Sequence, residues 1–558
     1  MAWDSLLKVS DKWEQADSRI IALFIRFALT LAFFMPWLLP NVINWKSGAT
    51  SFPDPNGDQA SYLLRARGEW DGIGFVEKVS AGSDAKFGFQ SLFEFIFFRI
   101  PGVLIADLVS FRIYLLVIVA ITIYASVSVI DQFCKSTSSS TVERVTKLVS
   151  ICLSLELLSI VQYGEIVNNL LLMSRWPLPA LHYILIFWAL KILFLKQGSV
   201  SWQALYPIAI SVFVYPYTFQ FLFCLYLVKC LSLISRRSEY QKGQRKLLLI
   251  LISAVTLAAF NFYDLMFHKA SEINGSSFNF LMELEFTRAL YFPKIILVAL
   301  FASLILRQLG ESIKYCIVWQ TSLATLLAYN SNVLLGFRVQ PSHLLWYVMT
   351  PIAVWSLMSI FFSLTKSRSC LLVARLLRNT LALGSLVTLF VLSIEATSNS
   401  IQTFYTKSDY HMIKKWDTDD SLVLYSVDHN LSNKILINTK HRAFWNPVGL
   451  SNRGGEVRLR EYVKTAIALE APVFNSKAER LQYLKSLCQT NRVEPCLSIQ
   501  LLVGASSGKT IRDFEFILNP FETEIIKGVW KEIPEYSPSN ELEIKTELLK
   551  SLKLVKLG

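Results

Sequence analysis

The segment LIADLVSFRIYLLVIVAITIYASVSVI (residues 104–130) is apolar almost throughout, and it exceeds the roughly 20 residues with which a helix crosses a hydrocarbon layer. Its apolar residues run on continuously instead of alternating, which predicts a helix and argues against a strand of a membrane barrel. Comparable runs fall at 20–42, 148–163, 180–196, 203–215, 217–235, 247–267, 290–306, 316–336, 344–364 and 377–396, making eleven in all. Over the whole chain 53% of the 558 residues are hydrophobic and only 17% are charged, with a mean hydropathy of +0.41. That balance excludes an ordinary soluble enzyme. The expected fold is a polytopic α-helical membrane protein of about 11 transmembrane helices.

The formal charge of +13 does not point to nucleic acid, because much of the basic excess lies in short loops between apolar runs. There Lys and Arg orient helices in the bilayer. RRSEYQKGQRK (236–246) and KSRSCLLVARLLR (366–378) are the clearest such loops, and both are expected to face the cytoplasm. Residues 1–19 then form a cytoplasmic segment. Residues 43–103, 164–179, 268–289, 337–343 and everything beyond 397 lie outside. The N-terminal stretch MAWDSLLKVSDKWEQADSR carries four acids and no small-residue cleavage signature, so the first span is expected to remain as an anchor. SLFEFIFFRIPG (91–102) is too short and too charged to cross, and an amphipathic helix lying in the interface suits it better. The break VYPYTF near Pro216 makes the fifth span short.

From 398 the character changes. Short β-like runs such as SLVLYSV and LSIQLLVG alternate with helical patterns such as RLREYVKTAIAL, which predicts a soluble C-terminal α/β domain over 398–558 after a transmembrane domain over 20–397. Cys488 and Cys496 in CQTNRVEPC are the only cysteines of that region. An oxidising compartment would join them in a short-loop disulfide. VGASSGKT (503–510) falls one residue short of a phosphate-binding loop between its glycines, and a turn is the better reading.

The segments placed outside hold ionisable residues that a purely structural membrane protein does not need. FPDPNGDQASYLLRARGEW (52–70) contributes Asp54, in a turn between two prolines, and Asp58, at the N-cap position of the helix that follows. The next segment contributes Glu165 and Arg175. ELEFTRALYFP contributes Glu283 and Arg288, with Glu285 between them, and GFRVQPSHLLWY contributes Arg338, Gln340 and His343. Carboxylates able to act as bases thus share one face of the membrane with cations able to grip a phosphate. Juxtamembrane ionisable groups of this kind are functional candidates, although capping, turn formation and headgroup anchoring each explain a single one of them as well.

Two stretches carry a family resemblance. DQASYLLRARGEW after the first span resembles an acidic motif followed by an aromatic and an Ala on a helix. FGFQSLFEFIFFRIPGVLIADLVSFRIYLLVIVAITIY resembles an interfacial helix, a Gly and an Arg-containing segment leading into the second span. In this pattern the chain resembles the GT-C superfamily of integral membrane glycosyltransferases over roughly residues 15–400, in the group that includes protein mannosyltransferases and lipopolysaccharide-core transferases. The resemblance implies a polyprenyl-phosphate-linked sugar donor and a glycan, lipid or protein acceptor arriving from outside. It also implies Asp58 as general base, Asp54 as a second base or acceptor-orienting group, and Arg338, His343, Arg175 and Arg288 as holders of the donor phosphate. Where many relatives have an Asp-Glu pair this chain has Asp58 followed by Gln59, and paired prolines before the interfacial helix are absent. A divalent cation, Mg or Mn, is compatible with the resemblance and not required by it. The expected location is a bacterial inner membrane with the C-terminal domain in the periplasm; an endoplasmic reticulum with its lumen as the outside gives the same topology. A transporter or flippase of a lipid-linked saccharide, or a membrane scaffold, is the alternative.

Overall fold

The structure is a computed structural model, and it describes residues 18–43, 45, 96–97, 100–105, 108–163, 178–195, 200–214, 216–234, 241–263, 284–286, 288–335, 337–339, 342–365, 371–404, 423–424, 439 and 442–443. These residues are mostly helical. Two compact units divide the chain: Met1–Ile43, Tyr114–Phe262 and Phe286–Thr403 form the first, and Asn44–Ile113, Tyr263–Glu285 and Phe404–Gly558 the second.

The helices are α1 (Ser18–Ile43), α2 (Ile100–Ile105), α3 (Leu108–Ser136), α4 (Thr141–Tyr163), α5 (Leu178–Leu190), α6 (Leu205–Val214), α7 (Pro216–Ile234), α8 (Gln241–Tyr263), α9 (Lys294–Gln308), α10 (Ser312–Tyr329), α11 (Asn332–Leu335), α12 (Ser342–Leu344), α13 (Thr350–Leu364) and α14 (Leu371–Phe404). Four stretches are long and apolar enough to cross a membrane: Ile20–Ile43, Ser110–Ser136, Leu345–Leu364 and Leu377–Ser398. Strand is confined to β1 (Leu284–Phe286), β2 (Phe337–Val339), β3 (Val423–Leu424) and β4 (Arg442–Ala443) among the described residues. In the expected C-terminal α/β domain only the parallel pair β3–β4, with Val423 opposite Arg442 and Leu424 opposite Ala443, is described beyond α14 and Thr439.

Exposure follows the logic of a lipid-facing helix set. α1 buries Ala22, Ile25, Leu29, Ala32 and Phe33 against its neighbours and turns Ile20, Leu23, Phe24, Phe27 and Leu31 outward. α14 exposes Leu383, Val387, Phe390, Val391 and Ile394 in the same way. Contiguous exposed apolar surface of this extent marks a membrane or partner surface. Polar groups join the helices inside the first unit: Ser393 donates to the Ala32 carbonyl at 2.6 Å and Ser126 to the Ala180 carbonyl at 2.5 Å.

Local sequence explains the helix ends. After α9 the chain turns at Gly310, whose φ of 76° places it in the left-handed region. Its N–H donates to the Arg307 carbonyl at 3.1 Å and that of Glu311 to the Leu306 carbonyl at 2.9 Å. This pairing closes a helix C-terminus with glycine, and the short link makes α9 and α10 neighbours that pack together. In the first turn of α13, Pro351 removes a donor from the ladder. Just before it the chain winds Leu345–Met349 as a π turn, and the Thr350 hydroxyl donates to the Leu345 carbonyl at 2.9 Å.

α4 begins ahead of the apolar run expected at 148. Ser140 and Glu143 form most of a capping box: the Glu143 N–H donates to Ser140 Oγ at 3.2 Å, while the Ser139 N–H and hydroxyl donate to Glu143 Oε2 at 2.9 and 2.8 Å. Glu143 stands in this first turn, before the apolar run. Burial works against its charged form, but Lys147 and Lys314 outweigh it and draw the carboxyl down to about 2. A depressed carboxylate stabilises the fold fully above its unfolded value near 4.5, and that stabilisation is lost as the pH falls through about 2. In detergent, the thermal midpoint of Glu143→Gln is therefore expected to fall less steeply than that of the wild type between pH about 4.5 and 2. Equal slopes would contradict the assignment.

Candidate functional site

The two ends of α10 divide the polar chemistry of the first unit. Lys314 sits in its first turn and Asn330 just past its last, which separates those groups by about 24 Å at the usual helical rise.

At the Asn330 end the structure builds a histidine–aromatic cluster. His343 on α12 is half-buried and stacks on Tyr217, the second residue of α7, with ring centroids 5.1 Å apart and planes within 8°. Tyr347, one turn further along, lies 5.3 Å from His343, and Trp346 lies 6.0 Å away. Tyr347 also meets His182 of α5 at 5.6 Å. His182 is 1% exposed, and its Nδ1 is hydrogen-bonded to the Thr218 hydroxyl. Two imidazoles from different helices thus contact one tyrosine, and neighbouring residues of α7, Tyr217 and Thr218, contact the imidazoles. Aromatic walls with a few fixed polar groups are the usual make-up of a small-molecule site.

The same end gathers the Arg288 segment. The Asn330 side chain accepts from the Tyr291 N–H at 2.6 Å and donates to the Tyr291 carbonyl at 2.9 Å, and Asn332 donates to the Ala289 carbonyl at 2.8 Å. Gln220, one turn from Tyr217, donates to the Ala328 carbonyl at 2.9 Å and to Ser331 Oγ at 2.7 Å. Arg288 itself is exposed. Arg338 falls in β2. Asp54, Asp58, Glu165, Arg175, Glu283, Gln340, Cys488 and Cys496 lie outside the described residues. His182 and Thr218 are additions that the sequence reading missed. The available signal was a lone histidine inside the apolar run LPALHYILIFWAL, where an ionisable side chain is expensive unless it is paired or used.

At the Lys314 end the polar groups are charged and closely paired. Asp131 of α3, 1% exposed, receives both nitrogens of a guanidinium fork from Arg144: Nε to Oδ1 at 2.6 Å and Nη2 to Oδ2 at 2.5 Å. Arg26 of α1 adds its Nε to the same Oδ2 at 2.5 Å. Beside this triad, Lys147 donates to Glu143 Oε1 at 2.7 Å and to the Thr137 carbonyl at 3.1 Å. Lys314 bridges Glu143 and Glu311 at 3.5 and 3.1 Å, and Ser363 donates to Glu311 at 2.7 Å. These groups tie α1, α3, α4, α10 and α13 together at one end.

Among the described residues no group of three or more His, Cys, Asp or Glu is placed to hold a metal ion. No protein-family model matches the chain, and no curated protein matches it in sequence.

Proposed function

We propose that this protein is a polytopic membrane glycosyltransferase with eleven spans that moves a sugar from a polyprenyl-phosphate-linked donor to an acceptor hydroxyl at the outer face of the membrane. The supporting observation is the cluster around His343. A residue nominated from the sequence as a phosphate-binding cation stands in an aromatic, hydrogen-bonded setting, at the end of α10 to which the Arg288 segment is stitched. At the opposite end the buried charges are engaged with one another, so the aromatic and polar groups suited to a sugar donor lie on the His343 side.

In this reading Asp58 takes the proton of the acceptor hydroxyl as its oxygen bonds to the anomeric carbon, and the bond from that carbon to the lipid phosphate oxygen breaks. Arg338, Arg175, Arg288 and His343 stabilise the charge that develops on the departing lipid phosphate. Asp54 orients the acceptor, and Glu165, Glu283 and Gln340 are further polar candidates at this face. The N-terminus is cytoplasmic, the C-terminal domain lies outside, and the membrane is a bacterial inner membrane.

The test is transfer from labelled donors in membranes containing the full chain. Transfer above a vector control is expected from a polyprenyl-phosphate sugar and not from a nucleotide sugar supplied without lipid. Absence of transfer from every lipid-linked donor would contradict the proposal and favour a transporter.

A further inference from the structure

The triad at Asp131 is unbalanced in charge, and the imbalance lies at its exposed edge. The fork of Arg144 engages both oxygens of Asp131, and a bidentate pair of this kind neutralises the carboxylate. Arg26 approaches the same carboxylate through Nε, which adds a second guanidinium and leaves one positive charge in excess. The side chain of Arg26 is 21% exposed, against 8% for Arg144 and 1% for Asp131. Lys135 stands one turn beyond Asp131 on the same face of α3. It is exposed, and among the described residues no carboxylate pairs with it. Glu143 does not offset the excess, because Lys147 and Lys314 already share it.

We infer that Arg26 and Lys135 form a seat for the phosphate of an anionic lipid headgroup at the Lys314 end of the helix set, an inference that needs the membrane reading and is independent of the sugar-transfer proposal. The surroundings favour a lipid over an anion from solution. Arg26 is bordered on α1 by exposed Leu23, Phe24 and Phe27, on a stretch long and apolar enough to cross a membrane. An acyl chain covers such a stripe while its phosphate meets the cations, whereas a free anion gains nothing from the apolar surface. With Nε engaged by Asp131, the terminal amino groups of Arg26 remain for phosphate, which a guanidinium holds through a fork of hydrogen bonds. Lys135 adds a compact charge near the headgroup.

The experiment is native mass spectrometry of the full chain released from nanodiscs containing equal phosphatidylglycerol and phosphatidylcholine. The wild type is expected to retain phosphatidylglycerol preferentially. Arg26→Gln and Lys135→Gln are each expected to reduce that preference by roughly fivefold, the usual share of one basic residue near an anionic surface. Lys135→Gln leaves the Asp131 triad intact, so its effect is not a folding defect. The inference is overturned by a wild type without preference, by two variants that keep it, or by its disappearance in excess inorganic phosphate, which would make the occupant a free anion. Sugar transfer is measured separately, so failure of the seat and failure of the transferase reading are distinguishable.

Discussion

Asp131→Asn is expected to lower the stability of the helix set by roughly 3–5 kcal/mol, the usual effect of removing one partner from a buried ion pair. The reason is the state left behind. Arg144 is buried and Arg26 partly so, and without the carboxylate two guanidinium groups face each other with no countercharge. Packing losses at this level are smaller. Phe133 lies 5.2 Å from Phe187 and 5.1 Å from Trp355, yet an apolar exchange of similar volume there costs under about 1.5 kcal/mol. The electrostatic term therefore dominates. Arg144→Met is expected to do less damage, because Arg26 still meets Asp131. The double variant Asp131→Leu/Arg144→Met is expected to be more stable than Asp131→Asn, since it removes the charge and its countercharge together. Unfolding in detergent, followed by circular dichroism against denaturant, reads all three. A wild-type midpoint for Asp131→Asn would show that the triad does not hold these helices.

The triad also marks where the sequence stopped being informative. The described parts of the eleven apolar runs are largely helical, because a long apolar stretch satisfies its backbone groups internally, and four stretches among the described residues are long and apolar enough to cross a membrane. Apolar periodicity marks the greasy part of a helix, however, and not its ends. α4 starts at Thr141 because Ser140 and Glu143 cap it in a charged segment, and α14 continues to Phe404, so the boundary expected at 397 falls inside that helix. His343 was legible as a polar residue between two apolar runs. Its relation to His182 was not, since α5, α7 and α12 come together only through packing. The pairing of Arg26 with Asp131 across 105 residues has no local signature at all. Glu143 and Lys147, at i and i+4, did have one, in the segment between two apolar runs.

The second large effect is expected at Asp58. In the proposed role of general base, its carboxylate would contribute about 10²–10⁴ in rate, and Asp58→Asn keeps the size and intrinsic N-cap preference of the side chain while removing its basicity. Loss of transfer without loss of folded protein therefore separates chemistry from structure. Asp54→Asn is expected to have a smaller effect, because in the proposed mechanism Asp54 orients the acceptor without taking its proton.

The most direct measurement is transfer of labelled sugar from a polyprenyl-phosphate donor in membranes holding equal amounts of the wild type and of Asp58→Asn. The account predicts transfer by the wild type and a fall of about 100-fold or more in the variant; equal transfer by the two would remove Asp58 from the mechanism and contradict it.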